Sequence, residues 1–492
     1  MLQNLAYGFS LVFQPFTFAL MVFGTAIGVV IGALPGLTAS MGIILLLPLV
    51  YRLPANVSLV MLCGLFCGGM YGGSISGILL NTPGTPSASA TTLDGYPLNR
   101  QGKAGKALGI ATIASFGGGL ISTACLIVIA PQLAKVALSF QAADYFSLSI
   151  FGLSIMASSS GKNVVKGLIA GCIGLLVSCV GIDTIVGVNR LTFNNMYLAG
   201  GFSLLPVLIG VFAVSEVLKQ VQTSHEERPV TIQAVTDILP TWTEIKGVIP
   251  AILVGGVLGV FIGIVPGTGG AIACFLAYNV VQKFAKDRDQ FGKGALSGVA
   301  APESANNATT GGALIPMLCL GVPGDVVTSV MLGALVLIGV RPGPLLFIEN
   351  IDVVYSIFAG MVIIQFLMLG FGLLSSRYSP AILKIPDTLL MPVIMVLCVV
   401  GAFCLNNSLY DVTVALVFGI LGFFMKRWGY PGAPLVLGVI LGPMAEENLN
   451  RALLVSNNNW AVLVQRPISL MFLLLSALSI GLALYNVKKK EA

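Results

Sequence analysis

Apolar residues run along this chain in unbroken blocks rather than in stripes, and stretches such as 395–405 and 470–484 hold almost no polar position. An amphipathic surface helix carries its apolar residues on one stripe only. A membrane barrel strand alternates apolar and polar over about ten residues. A helix crossing a bilayer instead needs roughly 20 consecutive apolar residues. Blocks that read as spans fall near 11–32, 57–80, 107–130, 145–160, 164–186 and 202–218, then 248–265, 326–347, 353–374, 389–405, 412–424, 434–442 and 470–484. Several are short or interrupted. The expected fold is therefore an all-α polytopic membrane protein of about 11–13 spans, broken or re-entrant helices included.

The long polar stretch in the middle, 219–246, holds Glu226, Glu227, Arg228, Asp237, Glu244 and the sole histidine, His225. It divides the chain into a first transmembrane repeat, 1–218, and a second, 247–492. Gly32-Ala33-Leu34-Pro35-Gly36-Leu37-Thr38 returns as Gly263-Ile264-Val265-Pro266-Gly267-Thr268-Gly269. Asn81-Thr82-Pro83-Gly84-Thr85 returns as Gly321-Val322-Pro323-Gly324-Asp325, and Gly72-Gly73 and Gly311-Gly312 precede the two copies. In the first half the basic loop follows the second motif (Arg100, Lys103, Lys106). In the second half it follows the first motif (Lys283, Lys286, Arg288, Lys293). Cytoplasmic loops carry the excess of Lys and Arg, so equivalent loops face opposite sides, as in the inverted-topology repeats of many secondary transporters. The same rule makes the Lys488-Lys489-Lys490 tail cytoplasmic.

Composition agrees with this reading. Of 492 residues 56% are hydrophobic and 9% charged, against about 25% charged in a soluble protein. The nine cysteines lie in apolar runs without CxxC spacing, which leaves neither a disulfide framework nor a zinc site expected. The net charge of +6 is spread through loops, a topology signal and not a nucleic-acid patch. No Lys or Arg precedes Arg52, so the first apolar block is expected to be a retained span and not a cleaved signal.

Chemistry is expected at the four Pro-Gly breaks. Proline removes a backbone donor and glycine accepts unusual dihedrals. Broken backbone at membrane depth survives only when buried in protein or lining a watery cavity. The helix restarting after a break offers free N–H groups and a positive dipole end to an anion, and the carbonyls ending the preceding helix can hold a cation. Ser74, Ser76, Asn81, Thr82, Pro83, Gly84 and Thr85, with Asn306, Asn307, Pro323 and Gly324, form the expected substrate site. Pro35, Gly36, Thr38, Ser40, Pro266, Gly267, Thr268 and Asp325 form the expected cation-coupling set. Asp325 either caps the next helix or binds a cation; Tyr71 either touches ligand or packs. Small residues in spans otherwise serve close helix packing. Asp94 reads as a turn or cap residue, and Asp144, Asp183, Asp352, Asp411, Glu446 and Glu447 as interfacial. No catalytic residue is expected. A Ser–His protease would have only the linker's His225, and an aspartyl enzyme would lack a partner for Asp325.

The stretches GALPGLTASMGIILLLP from Gly32, YGGSISGILLNTPGTPSASATTLDGYPLNRQGKAGKALG from Tyr71 and GVAAPESANNATTGGALIPMLCLGVPGDVV from Gly298 resemble the large membrane subunit of the bacterial tripartite tricarboxylate transporters. Ile338 stands where relatives often have His, which leaves no proton-handling role at that position. The resemblance implies a permease of the bacterial inner membrane, working with a small transmembrane subunit and a periplasmic substrate-binding protein. It further implies import of a carboxylate, citrate-like or smaller, coupled to sodium ions or protons, with no bound cofactor. The alternatives are a passive anion channel or a structural membrane subunit. No phosphate-binding loop for ATP is present in the sequence. Bringing a dianion in against roughly −100 mV costs about 4.6 kcal/mol, at about 2.3 per charge. Two co-transported cations cancel that term and a third makes entry favourable.

Overall fold

Proline and glycine punctuate the helices where the sequence places them. The computed structural model describes residues 1–158, 164–183, 187–223, 235, 237–267, 269–383 and 387–491. In chain order the main helices are α1 (Leu2–Val12), α2 (Pro15–Ala33), α3 (Ala39–Val50), α4 (Ala55–Leu80), α5 (Thr92–Arg100), α6 (Ala104–Ala137), α7 (Ala142–Ser158), α8 (Val164–Ser178) and α9 (Leu204–Gln222). They continue as α10 (Trp242–Ile264), α11 (Gly269–Gln282), α12 (Leu296–Leu320), α13 (Val326–Leu337), α14 (Ile351–Ile382), α15 (Asp387–Asn406), α16 (Leu409–Arg427), α17 (Gly432–Val455) and α18 (Pro467–Glu491). Among the described residues the strands are a two-residue antiparallel pair, Gly181–Ile182 with Asn189–Arg190.

Seven helices, α2, α4, α6, α9, α10, α14 and α16, are long and apolar enough to cross a membrane, and six shorter apolar helices accompany them among the described residues. The chain is thus an all-α polytopic membrane protein. The expected spans need correction in places. The block 326–347 is not one span, because α13 ends at Leu337 and a turn follows. The block 434–442 lies inside the longer α17. Helices α3, α11 and α12 were not expected. Helix α12 escapes a hydropathy reading because it carries Glu303, Asn306, Asn307, Thr309 and Thr310, all buried by protein. The polar middle stretch is shorter than its sequence suggests, since α9 reaches Gln222 and α10 starts at Trp242 with a Thr241–Glu244 capping box. His225, Glu226, Glu227 and Arg228 lie outside the described residues.

Two compact units divide the chain: Met1–Ala134 with Thr223–Val393, and Lys135–Gln222 with Ile394–Ala492. Each half of the sequence contributes to both. In the first unit the buried helices α4 and α12 form the centre and touch each other, α2 lies along α4, and α10 lies along α12. The two crossings share one register. Ideal Cβ atoms on Gly24, Gly28 and Gly32 would fall 2.3, 2.5 and 2.2 Å from the carbonyl oxygens of Met61, Leu65 and Gly69. On Gly255, Gly259 and Gly263 they would fall 2.3, 2.5 and 3.0 Å from those of Ala301, Ala305 and Thr309. A glycine every fourth residue lets two backbones approach this closely, and van der Waals contact then replaces the hydrophobic effect as the force joining helices in lipid.

In the second unit α17 packs on α7 and α8, and α18 on α7. Its acids find cations. Arg466 Nη2 lies 2.8 Å from the buried Asp144, Lys426 Nζ 2.7 Å from Glu216, and Arg190 pairs with Glu446 and with Asp183 at 3.2 Å.

Candidate functional site

The functional candidates lie in the first unit, where each half of the chain folds its two breaks against one another. Helix α2 stops at Ala33, Leu34 turns extended and Gly36 takes φ 85°. The Thr38 hydroxyl then caps α3, accepting from Met41 N at 3.4 Å and lying 2.9 Å from Ser40 Oγ. Helix α4 ends with Asn81 in the left-handed region, φ 56°, its N–H donating to the Gly77 carbonyl at 3.1 Å. The chain folds back so that Gly84 N donates to the Gly73 carbonyl at 3.1 Å. A Cβ on Gly84 would sit 2.2 Å from the Gly32 oxygen, so the Pro83-Gly84 break rests on the end of α2. Thr85 is buried against Gly73 and its hydroxyl makes no hydrogen bond. Ser76 Oγ donates to the Gly73 carbonyl at 3.4 Å, and Thr82 Oγ1 to that of Leu80 at 3.3 Å. Asn81 and Thr82 are exposed.

The second half repeats this construction. Helix α10 stops before Val265-Pro266, Gly267 takes φ 78°, and its N–H donates to the Gly324 carbonyl at 2.8 Å. Gly321 is left-handed at φ 70°, and a Cβ on Gly324 would meet the Gly263 oxygen and the Ala313 Cα, both at 2.7 Å. Gly312 packs on Val260 as Gly72 packs on Val29. The correspondence is therefore Gly72-Gly73 with Gly312-Ala313, one position on from the glycine pair that the sequence alone matches. It sets Asn81 opposite Gly321, Gly84 opposite Gly324 and Thr85 opposite Asp325.

That last pair differs in charge. Asp325 is the N-cap of α13; its Oδ1 accepts from Thr328 N at 2.8 Å and Thr328 Oγ1 at 2.7 Å. The carboxylate occupies the positive end of that helix and repels a second anion there. Thr85 is neutral, with a buried and unused hydroxyl. The first pair of breaks carries no fixed negative charge, and the second carries that of Asp325.

Asn306 and Asn307 stand in the middle of α12, apart from the Pro323-Gly324 break, since the thirteen residue steps from Asn307 to Leu320 rise about 20 Å. Asn306 Nδ2 donates to the Met70 carbonyl at 2.9 Å, where α12 meets α4. Neither amide atom of Asn307 has a partner. Thr309 and the Ser87 hydroxyl of the short turn Pro86–Ser89 meet over Gly270 at the start of α11. Ser76 and Asn81–Thr85 thus lie by the end of α2 with Pro35 and Gly36, and Pro323, Gly324 and Asp325 by the end of α10 with Pro266 and Gly267; the two constructions meet, since the turn Pro86–Ser89 packs on α11 and α3 packs on α13. Thr268 lies outside the described residues.

Tyr71 is buried, its hydroxyl 2.8 Å from Thr112 Oγ1 and donating to the Gly372 carbonyl at 3.2 Å, so it packs. Asp94 braces the turn that leads into α12: it accepts from Gly294 N and Ala295 N, each at 2.8 Å, and from the Tyr278 hydroxyl at 2.8 Å. Sequence reasoning missed Glu303, a fully buried carboxylate that accepts from Thr91 Oγ1 at 2.5 Å and Ser115 Oγ at 3.0 Å. Its signal was the spacing Glu303, Asn306, Asn307, which puts three polar side chains on one helix face.

Comparison with known proteins places these features in a family. The model of the tripartite tricarboxylate transporter TctA family matches residues 18–437. An Agrobacterium vitis protein described as an uncharacterized 52.8 kDa protein in the TAR-I ttuC' 3' region is 36% identical over 483 residues, 98% of this chain and 95% of the relative. A second from the same organism, described as an uncharacterized protein in the TAR-II ttuC' 3' region, is 38% identical over 226 residues, 46% of this chain and 93% of the relative. No solved structure matches the chain.

Proposed function

The chain belongs to the tripartite tricarboxylate transporter TctA family, whose members are large subunits of three-part transporters, and from that membership we propose that it imports carboxylates by cation symport. Its partners in this reading are a small transmembrane subunit and a periplasmic binding protein that delivers the carboxylate. The membrane is the bacterial inner membrane, with the C-terminus cytoplasmic. The swapped basic loops and the shared register of the α2–α4 and α10–α12 crossings support an inverted pair of repeats.

The carrying observation is the contrast between Thr85 and Asp325. At Pro83-Gly84 an unused buried hydroxyl and the exposed Asn81 and Thr82 stand beside broken backbone with no fixed negative charge. A carboxylate entering there accepts hydrogen bonds from Asn81 Nδ2, the Thr82 and Thr85 hydroxyls and free backbone N–H groups. Hydrogen bonds to a charged acceptor are each worth about 1.5–3 kcal/mol. No Lys or Arg is needed, and weak uncharged donors release the anion on the far side. Cations bound in the same cycle cancel its charge against the membrane potential.

The test is uptake of labelled di- and tricarboxylates into proteoliposomes holding this chain and its small partner. A sodium or a pH gradient is imposed, with and without the binding protein. Accumulation above equilibrium that requires both the gradient and the binding protein is the expected result. Equilibration without accumulation would make the protein a passive channel.

A further inference from the structure

Glu303 is the buried carboxylate that the substrate site does not use. It stands near the middle of α12 and is wholly enclosed. Among the described residues no Lys, Arg or His forms an ion pair with it. An ionised carboxylate so enclosed carries a desolvation penalty that neutral donors alone do not offset. It calls for a positive charge of its own. The surroundings supply oxygen. Thr91 Oγ1 and Ser115 Oγ already touch its two oxygens, and Ser74 and Asn306 face the same carboxylate. The Ser74 hydroxyl and the Asn306 amide are neutral donors there, and the same Asn306 Nδ2 donates to the Met70 carbonyl at 2.9 Å. A fully buried carboxylate ringed by the hydroxyl oxygens of Ser74, Thr91 and Ser115 suits a hard cation.

We propose that Glu303, with Ser74, Thr91, Ser115 and Asn306 around it, is the site where the coupling cation, a sodium ion or a proton, is loaded. This rests on the transport reading and moves the coupling cation away from Asp325 and the Leu-Pro-Gly and Val-Pro-Gly breaks. The site is placed to couple. Ser74 follows Gly73, whose carbonyl holds Gly84, and Thr91 lies six residues beyond Thr85. Loading ties α4, α6, α12 and the residue preceding α5 together behind the Pro83-Gly84 break. An empty, charged Glu303 repels an incoming carboxylate, whereas a loaded one does not, so the cation enters first and raises anion affinity; by linkage the anion tightens the cation equally. The titratable side chains facing Glu303 are Tyr71 of α4 and Cys274 of α11, while Asp94, beside Gly298 in the first turn of α12, accepts from Gly294 N and Ala295 N.

The test compares wild type, E303Q, S74A and S115A in proteoliposomes with the small subunit and binding protein. One arm imposes a sodium gradient at fixed pH and the other a pH gradient without sodium. Sodium binding to the purified chain is read in parallel as a sodium-dependent rise in thermal unfolding temperature. E303Q is expected to lose gradient-driven accumulation at wild-type membrane abundance, and S74A and S115A to raise the half-saturating cation concentration by about tenfold. If sodium is the ion, the thermal response disappears in E303Q. If the proton is, the pH midpoint of accumulation shifts in S74A and S115A instead. Where E303Q fails to insert, S74A and S115A decide, since they keep the carboxylate and remove one oxygen each. Variants with wild-type cation dependence would overturn the assignment of Glu303. A wild type that accumulates nothing under either gradient would overturn the transport reading itself.

Discussion

Replacing Asn81 by glycine and, separately, by alanine divides two jobs that the structure gives this residue. Its backbone ends α4 in the left-handed region, φ 56° and ψ 24°, and its counterpart Gly321 holds φ 70° at the end of α12. Asparagine tolerates that region and alanine does not, at a cost of about 1–2 kcal/mol. Glycine adopts it freely, so Asn81→Gly leaves the helix end intact and removes only the amide. The amide is exposed at the break. Loss of one hydrogen bond to a charged carboxylate costs about 1.5–3 kcal/mol, which raises the half-saturating substrate concentration about 10- to 150-fold. The assay is concentration-dependent uptake in proteoliposomes, with thermal unfolding of the purified chain alongside. Asn81→Gly is expected to unfold like wild type and to transport with that weakened affinity. Asn81→Ala is expected to show the same loss of affinity together with a lowered unfolding temperature. Wild-type affinity in the glycine variant would refute the reasoning and leave Asn81 a helix cap only.

Other substitutions test neighbouring claims. Asn307→Leu removes two buried amide atoms that have no partner, so it should stabilise the chain by about 1–3 kcal/mol while reducing uptake; a lower unfolding temperature would show that the amide is satisfied. Gly84→Ala puts a Cβ 2.2 Å from the Gly32 oxygen and Gly324→Ala one 2.7 Å from the Gly263 oxygen. Both should destabilise by about 1–3 kcal/mol, the first more, as thermal unfolding will measure. Asp325→Asn keeps the cap on Thr328 and should keep cation-driven uptake, whereas Asp325→Ala loses about 0.5–2 kcal/mol of stability. Loss of cation dependence in the asparagine variant would return the coupling site to Asp325.

Helices whose lipid-facing sides are apolar were legible in the sequence, because α2, α6 and α14 must satisfy the bilayer along their length. Helix α12 was not, because it is enclosed by α10, α11 and α4 and its side chains answer to protein instead of lipid. The Pro-Gly breaks were legible as breaks, since proline and glycine act locally. Their pairing was not. That Gly84 rests on the oxygen of Gly32, and Gly324 on that of Gly263, depends on two helices crossing in one register, which no local pattern states. The same limit explains Asp94, read as a local turn or cap residue but bracing a turn two hundred positions away.

Two copies of one construction have diverged where charge is concerned. Their backbones agree at Gly72 and Gly312, Asn81 and Gly321, and Gly84 and Gly324, yet Thr85 faces Asp325, and Glu303 falls where the first copy has Cys63. Close packing keeps the glycines alike, because a Cβ at either break would strike backbone. Nothing in the packing requires an acid at position 303, and burying one there is costly unless a cation comes with it. A pair of equal halves would place the same sign of charge on both sides of the pseudo-symmetry and would hold anion and cation with equal weakness. Divergence gives the first break neutral donors for a carboxylate. It sets the only enclosed, uncapped acid described in this unit behind that break, on the helix of the other repeat. In the proposed transport cycle, movement of α12 against α4 would change both sites together, which is the condition for coupling one flux to the other.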